Sequence, residues 1–146
     1  MTYLLDINIL VALFDAAHVH HEAAHRWFAA VGISSWATCP ITENGLVRVL
    51  SNPAYPTVSV SPGGVAERLR IFCSEPGHEF WPDVASLTDS TLFDVSQLRG
   101  HQQITDLYLA GLACRQGGKL ATFDTSILVA ALIGAPIDAV VVIPTV

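Results

Sequence analysis

The chain has 146 residues, about the length of one domain, and 51% of them are hydrophobic while only 14% are charged. This composition is sufficient for one core, and no apolar run approaches the roughly 18 residues that a membrane span requires. A net charge of −6 argues against the basic surface typical of nucleic-acid binding, unless acids gathered around a cation are subtracted first.

The N-terminal residues lack the basic and apolar regions of a signal peptide. Cys39, Cys73 and Cys114 are odd in number, lie far apart and form no C-x-x-C pair, which is typical of proteins in a reducing compartment. No repeat, linker or low-complexity segment divides the chain. We therefore expect one cytoplasmic domain that spans residues 1–146.

Short apolar runs alternate with helical periodicities along the chain. The predicted strands cover residues 3–5, 33–38, 79–81, 119–123 and 139–143. One or two helical turns are expected after residue 10, and the further predicted helices cover residues 18–31, 43–50, 62–72, 90–98, 104–115 and 126–132. Thr42 is expected to cap the helix predicted over residues 43–50. The alternation predicts a three-layer α/β/α fold with a mainly parallel sheet.

Four acidic residues occupy special positions in this pattern. Asp6 and Asp124 each follow a buried strand, and Glu43 and Asp106 each lie in the first turn of a helix. In a parallel sheet, strand ends and the following helix starts meet at one edge, where ligands bind. Four unpaired carboxylates gathered there would repel one another, and a hard divalent cation such as Mg²⁺ or Mn²⁺ would remove that repulsion.

Each acid also has a purely structural explanation. Glu43 and Asp106 oppose the dipoles of their helices, and Asp124 is placed to cap a following helix. Only the coincidence of all four at one edge favours a metal site that activates water for attack on a phosphodiester.

Four sequence stretches together resemble a known family. They read LLDINIL at the start, ITENGL in the middle, then ITDLYLAGLA, and LATFD towards the end. In this order and spacing, over about residues 1–133, they resemble a PIN domain, and most closely the VapC toxins of bacterial toxin–antitoxin pairs. The stretch HHEAAHRWF also resembles a helix found in one group of VapC toxins.

The resemblance implies a Mg²⁺-dependent endoribonuclease that acts on RNA as a homodimer and is inhibited by a cognate VapB-like antitoxin. It implies that the metal-binding acids are Asp6, Glu43, Asp106 and Asp124. The polar groups expected to support them are Asn8, Thr105, Thr122 and Ser126. Ile7 departs from the family pattern, because a small or hydroxylated residue is common at that position.

Two alternatives remain open. His21-Glu22-Ala23-Ala24-His25 fits the H-E-x-x-H pattern of zinc proteases, although Phe28 and Val31 stand where the extended pattern requires Gly and His. The histidines between His18 and His25 are otherwise expected to form a polar helix face. The fold could also be a nucleic-acid-binding module that has lost catalysis, against which the intact acids argue.

Seven basic residues are available to contact phosphate. Most are expected at the surface, where their stems cover apolar neighbours. Arg48 lies one turn beyond Glu43 and is therefore expected to reach an RNA substrate near the metal.

Overall fold

The computed structural model describes residues 1–57 and 59–145 and contains a parallel five-stranded sheet. The strands are β1 (Tyr3–Leu5), β2 (Trp36–Thr38), β3 (His78–Phe80), β4 (Lys119–Thr122) and β5 (Val140–Val142). Their order across the sheet is β3-β2-β1-β4-β5, and every neighbouring pair is parallel. The first strand, β1, lies at the centre of the sheet, so that residues at its carboxyl end have neighbouring strands on both sides.

The helices in the described part of the chain are α1 (Ile7–Phe14), α2 (His21–Ala30), α3 (Pro40–Ser51), α4 (Pro62–Cys73) and α5 (Ile104–Arg115). They cover the two faces of the sheet, because alternate strand residues point to opposite sides. Leu4 and Leu120 pack in one core with α5, whereas Leu5 and Trp36 pack in another with α1 to α4. The three-layer fold with a parallel sheet is therefore confirmed. Within residues 1–57 and 59–145, no helix has the length and apolarity to cross a membrane.

Two short helices predicted from the sequence are wrong. Residues 90–98 contain only the 3₁₀ turn Val95–Gln97, and residues 126–132 contain only the 3₁₀ turn Val129–Ala131. Aspartate side chains near each segment bind local N–H groups: Asp89 accepts from Thr91 and Asp124 accepts from Ser126. Such bonds compete with helix formation.

The predicted boundaries of α3 and β2 also need correction. The helix expected from residue 43 begins earlier, at Pro40, because the missing N–H of a proline costs nothing at the first helical position. Thr42 is therefore not the cap; its hydroxyl accepts from the backbone N–H of Cys39 at 3.0 Å. The strand expected at 33–38 is limited to Trp36–Thr38, because Gly32–Ser34 forms a 3₁₀ turn.

A close contact between α1 and α3 explains why isoleucine is accepted at position 7. A Cβ built on Gly45 would lie 2.3 Å from Cδ1 of Ile7 and 2.7 Å from its Cγ1. The missing side chain of Gly45 thus provides the space that the larger Ile7 occupies. This contact sets the spacing between the helix that follows Asp6 and the helix that carries Glu43.

We expect Gly45→Ala to lower the free energy of unfolding by about 1–2 kcal/mol, since overpacking costs about 1–3 kcal/mol and alanine regains up to about 1 kcal/mol of helix propensity. Urea unfolding monitored by circular dichroism measures the change. Gly63→Ala in α4 is the matched control, because a Cβ there meets nothing within 4 Å. The double variant Ile7→Ala/Gly45→Ala should be more stable than the sum of the single effects predicts; strict additivity would contradict the contact.

Candidate active site

Asp6 lies where β1 ends and α1 begins. Its carboxylate caps α1 by accepting from the backbone N–H of Ile7 at 2.7 Å, and it accepts from the hydroxyl of Thr122 at 2.6 Å. Only 4% of the residue is exposed. A buried acid at the end of the central strand has few water contacts to stabilise its charge.

Two further aspartates converge on Asp6 from the neighbouring strand and from α5. Asp106 is in the first turn of α5, close enough to Asp124, which follows β4, for the two carboxyl groups to interact. Asp124 is held in place by the backbone N–H of Ser126 at 2.8 Å and by its hydroxyl at 2.6 Å. The structure thus brings together three of the four predicted acids.

The three carboxyl groups differ in their affinity for protons. Burial, followed by the negative charges of Asp6 and Asp124, raises the pKa of Asp106 to about 7. Burial, with a smaller contribution from Asp124, also raises the pKa of Asp6. Hydrogen bonds from Ser126 lower the pKa of Asp124. At neutral pH Asp106 is therefore only partly ionised, because its pKa of about 7 lies at that pH.

A small network fixes the strand ends beneath the aspartates. The hydroxyl of Thr122 accepts from the side-chain amide of Asn8 at 3.3 Å and from the backbone N–H of Asp124 at 3.0 Å. The amide oxygen of Asn8 accepts from the backbone N–H of Phe123 at 3.3 Å. Asn8, Thr122 and Ser126 therefore contact the acids or each other. Thr105 is exposed and makes no side-chain hydrogen bond with any described residue.

Glu43 is at the same edge of the sheet, but its side chain contacts a different group of residues. Its carboxylate accepts from the hydroxyl of Thr38 at 2.6 Å, and that hydroxyl lies 2.8 Å from Nε2 of His78. The sulfur of Cys73 completes this cluster. Thr38 lies on the same face of the sheet as Trp36, whereas the aspartates gather on the face that α5 covers. The carboxylate of Glu43 therefore contacts a different group of residues from the aspartates.

Sequence reasoning did not anticipate His78 and Cys73. They flank a tight turn at the end of α4 and the start of β3, five residues apart. Burial raises the pKa of Cys73 to about 11 and lowers the pKa of His78, so the apo cluster holds a neutral thiol and a neutral imidazole. The signal in the sequence for this cluster is a cysteine and a histidine on either side of the turn between the predicted helix 62–72 and the predicted strand 79–81.

The H-E-x-x-H residues have a structural role at the end of α1. A ring N–H of His21 donates to the carbonyl of Ala12 at 2.7 Å, and one of His25 donates to that of Leu13 at 3.1 Å. They satisfy carbonyls that the helix end leaves without partners. In the described ranges, neither histidine belongs to a group of three or more metal-ligating side chains. The zinc-protease alternative therefore has no site.

Most basic side chains have partners away from the aspartates. Arg70, Arg115 and Lys119 form exposed ion pairs with Glu67, Asp89 and Asp138, and Arg68 donates to the carbonyl of Phe14 at 2.7 Å. Arg48 is exposed on α3 and forms no ion pair among residues 1–57 and 59–145.

The fold belongs to a known class of protein. The model of the PIN domain family matches residues 3–132. The chain therefore belongs to the PIN domain family, and sequence relatives place it among the VapC ribonucleases. It is 44% identical over 127 residues to Ribonuclease VapC39 of Mycobacterium tuberculosis, covering 87% of this chain and 91% of that protein.

Solved structures show the same fold at low sequence identity. The crystal structure of VapC20 from Mycobacterium tuberculosis, a sarcin–ricin loop cleaving toxin, has a TM-score of 0.62 at 13% identity, covering 91% of this chain and 98% of that one. A toxin–antitoxin complex from Klebsiella pneumoniae has a TM-score of 0.59 at 18% identity, covering 95% of each chain. These likenesses support the fold.

Proposed function

We propose that this VapC ribonuclease is a divalent-cation-dependent endoribonuclease toxin that hydrolyses RNA phosphodiester bonds. The observation that carries the proposal is the aspartate cluster: Asp106 lies beside Asp6 and Asp124, and burial followed by their negative charges raises the pKa of Asp106 to about 7. Acids crowded in this way lose stability as they ionise, unless a cation joins them.

The donor set fits Mg²⁺, with Mn²⁺ as the substitute, because it consists of carboxylate oxygens. Asp6, Asp106 and Asp124 would hold the ion. Glu43 would join them from the start of α3, which packs on α1 through Gly45. When bound, such an ion supplies a Lewis acid that activates water and neutralises charge on the phosphodiester.

The chain's own groups orient the acids for this task. Thr122 directs the carboxylate of Asp6 by donating its hydroxyl proton at 2.6 Å. Ser126 does the same for Asp124 with two hydrogen bonds. Asn8 connects α1 to the end of β4, between the positions of Asp6 and Asp124, through its bonds to Thr122 and Phe123. Arg48, exposed and without an ion pair in the described ranges, would contact a substrate phosphate.

Substrate and partners follow from the relatives. VapC39 is named a ribonuclease, which supports RNA as the substrate. The Klebsiella pneumoniae neighbour is a toxin–antitoxin complex, which supports inhibition by a VapB-like antitoxin. A homodimer is proposed from the family resemblance. The free cysteines support a cytoplasmic location.

Chelation tests the metal requirement directly. We expect EDTA to lower the rate of RNA cleavage by the purified chain at least about 100-fold, because the ion contributes several kcal/mol. Mg²⁺ or Mn²⁺ added in excess should restore the rate. DNA of the same sequence serves as the control substrate. Cleavage that is unaffected by EDTA would exclude the mechanism. Metal-dependent RNA binding without cleavage would identify an inactive module.

A further inference from the structure

A second group of metal-ligating side chains lies outside the aspartate cluster. Glu43 from α3, Cys73 from α4 and His78 from β3 each offer one ligand atom, and these atoms all lie within 4.8 Å of one another. All three side chains are half-buried. We propose that this thiol–imidazole–carboxylate cluster, called here the Cys73 site, binds a thiophilic transition-metal ion of the zinc class.

The Cys73 site is organised before any ion binds. Thr38 is fully buried, and its hydroxyl donates to Glu43 at 2.6 Å while lying 2.8 Å from His78 and 4.0 Å from the sulfur of Cys73. One hydroxyl therefore contacts all three ligand residues. Polar groups that orient metal ligands commonly raise metal affinity about 10–100-fold.

The ligand types determine which ion fits. A thiolate and an imidazole select zinc-like ions, whereas Mg²⁺ requires an octahedral set of oxygens. A thiolate and a carboxylate together balance a divalent charge, and the thiol proton is released on binding. Three protein ligands leave one tetrahedral position open. A surface groove lined by Glu43 and Cys73 reaches the site, so that water can occupy that position.

Occupancy of the Cys73 site has a consequence that rests on the proposed function. Glu43 cannot ligate an ion beside Cys73 and also join Asp6, Asp106 and Asp124. A zinc-like ion would therefore withdraw the fourth acid from the nuclease centre and inhibit RNA cleavage. The two sites would compete for one side chain.

Cobalt titration tests the Cys73 site without any measurement of activity. Co²⁺ added to the purified, reduced full chain should produce a thiolate-to-metal charge-transfer band and tetrahedral d–d bands at one equivalent. Cys73→Ser should abolish the charge-transfer band. Cys114→Ser, another half-buried thiol, is the matched control and should retain it. Thr38→Val should weaken Co²⁺ binding about 10–100-fold.

Each outcome decides the proposal. Wild-type protein without a thiolate band would overturn the proposal, because binding at histidines or at the aspartates produces no such band. A band that persists in Cys73→Ser would also overturn it, because it would come from Cys39 or Cys114. If thermal unfolding shows that Cys73→Ser does not fold, His78→Gln replaces it, with an expected loss of the tetrahedral spectrum and at least about a tenfold loss of affinity.

Inhibition is measured separately as the ratio of RNA cleavage with and without Zn²⁺, in excess Mg²⁺, for each variant. Zn²⁺ should inhibit wild type and Cys114→Ser but not Cys73→Ser. A cobalt spectrum without inhibition would refute the sharing of Glu43 and leave the site itself supported. Absence of any RNA cleavage by wild type would refute the proposed function, while the cobalt spectra would still decide the Cys73 site.

Discussion

Asp6→Asn is expected to lower the rate of RNA cleavage at least about 100-fold, equivalent to about 2.7 kcal/mol of lost transition-state stabilisation. Asp6 is the most buried of the three clustered acids, and it ends the central strand. Asparagine has nearly the same shape but carries no charge. The substitution therefore removes one anionic ligand from the centre while leaving the backbone around it in place.

The fold should survive this change. Asparagine caps helices as well as aspartate does, so the contact to the N–H of Ile7 is kept. The one amide oxygen takes the place of the oxygen that accepts from Ile7, so the bond from the hydroxyl of Thr122 to the second carboxylate oxygen is lost, a cost that removal of the buried charge offsets. Because burial and Asp124 raise the pKa of Asp6, removing its charge relieves repulsion, and the metal-free variant should be no less stable than wild type. Loss of activity combined with retained stability indicates a catalytic role rather than a structural one.

Cleavage of a labelled RNA by equal amounts of wild type and Asp6→Asn, purified identically, measures the effect. Asp94→Asn is the control, because Asp94 is a half-buried loop acid that accepts from Ser96 and Gln97 and has no contact with the cluster. It should cleave at the wild-type rate. An Asp6→Asn variant that retains more than a tenth of the wild-type rate would remove Asp6 from the proposed metal ligands.

The sequence predicts the aspartate cluster because backbone topology alone places it. Asp6 and Asp124 follow neighbouring parallel strands, and the first turn of α5 returns Asp106 to the same edge. These positions depend on strand order and helix starts, which hydrophobic periodicity reveals. That the pKa of Asp106 is about 7 depends first on burial, which the pattern of residues indicates only indirectly.

Glu43 illustrates what the sequence does not contain. Its place in the first turn of α3 is predictable, but the direction of its side chain depends on Thr38 and His78, which come from two other strands. Likewise, residues 90–98 have helical periodicity, yet Asp89 and Asp94 capture local donors and hold turns instead. In both cases, single hydrogen bonds between polar side chains decide the outcome, and periodicity carries no information about them.

Asp106→Asn is expected to stabilise the metal-free protein at pH 8 and to have almost no effect on stability near pH 4. Asp106 has a pKa of about 7 in the folded chain against an ordinary value of 3.8. The folded state therefore binds this proton more tightly than the unfolded state does. The stability it provides is complete below about pH 3.8 and is lost progressively as pH rises through 7. Asparagine resembles the protonated form at every pH.

The size of the effect follows from the two pKa values. Their difference corresponds to at most about 4 kcal/mol, which solvent screening at this half-buried position reduces to about 2 kcal/mol. For a chain of this length, the variant should melt roughly 4–8 °C above wild type at pH 8 in EDTA. Asp89→Asn is the control of opposite sign, because hydrogen bonds from Thr91 and Arg115 lower the pKa of Asp89, so its loss destabilises the chain at that pH.

Added Mg²⁺ should reverse the order of the two melting temperatures at pH 8. The ion replaces the proton of Asp106 and stabilises the wild-type chain in proportion to its binding, whereas Asp106→Asn has lost one anionic ligand and gains less. Differential scanning calorimetry between pH 4 and pH 8, with EDTA or with excess Mg²⁺, measures both effects. A variant whose advantage does not change with pH would show that Asp106 is unprotonated in the folded chain. If the order with Mg²⁺ did not reverse, Asp106 would not bind the ion.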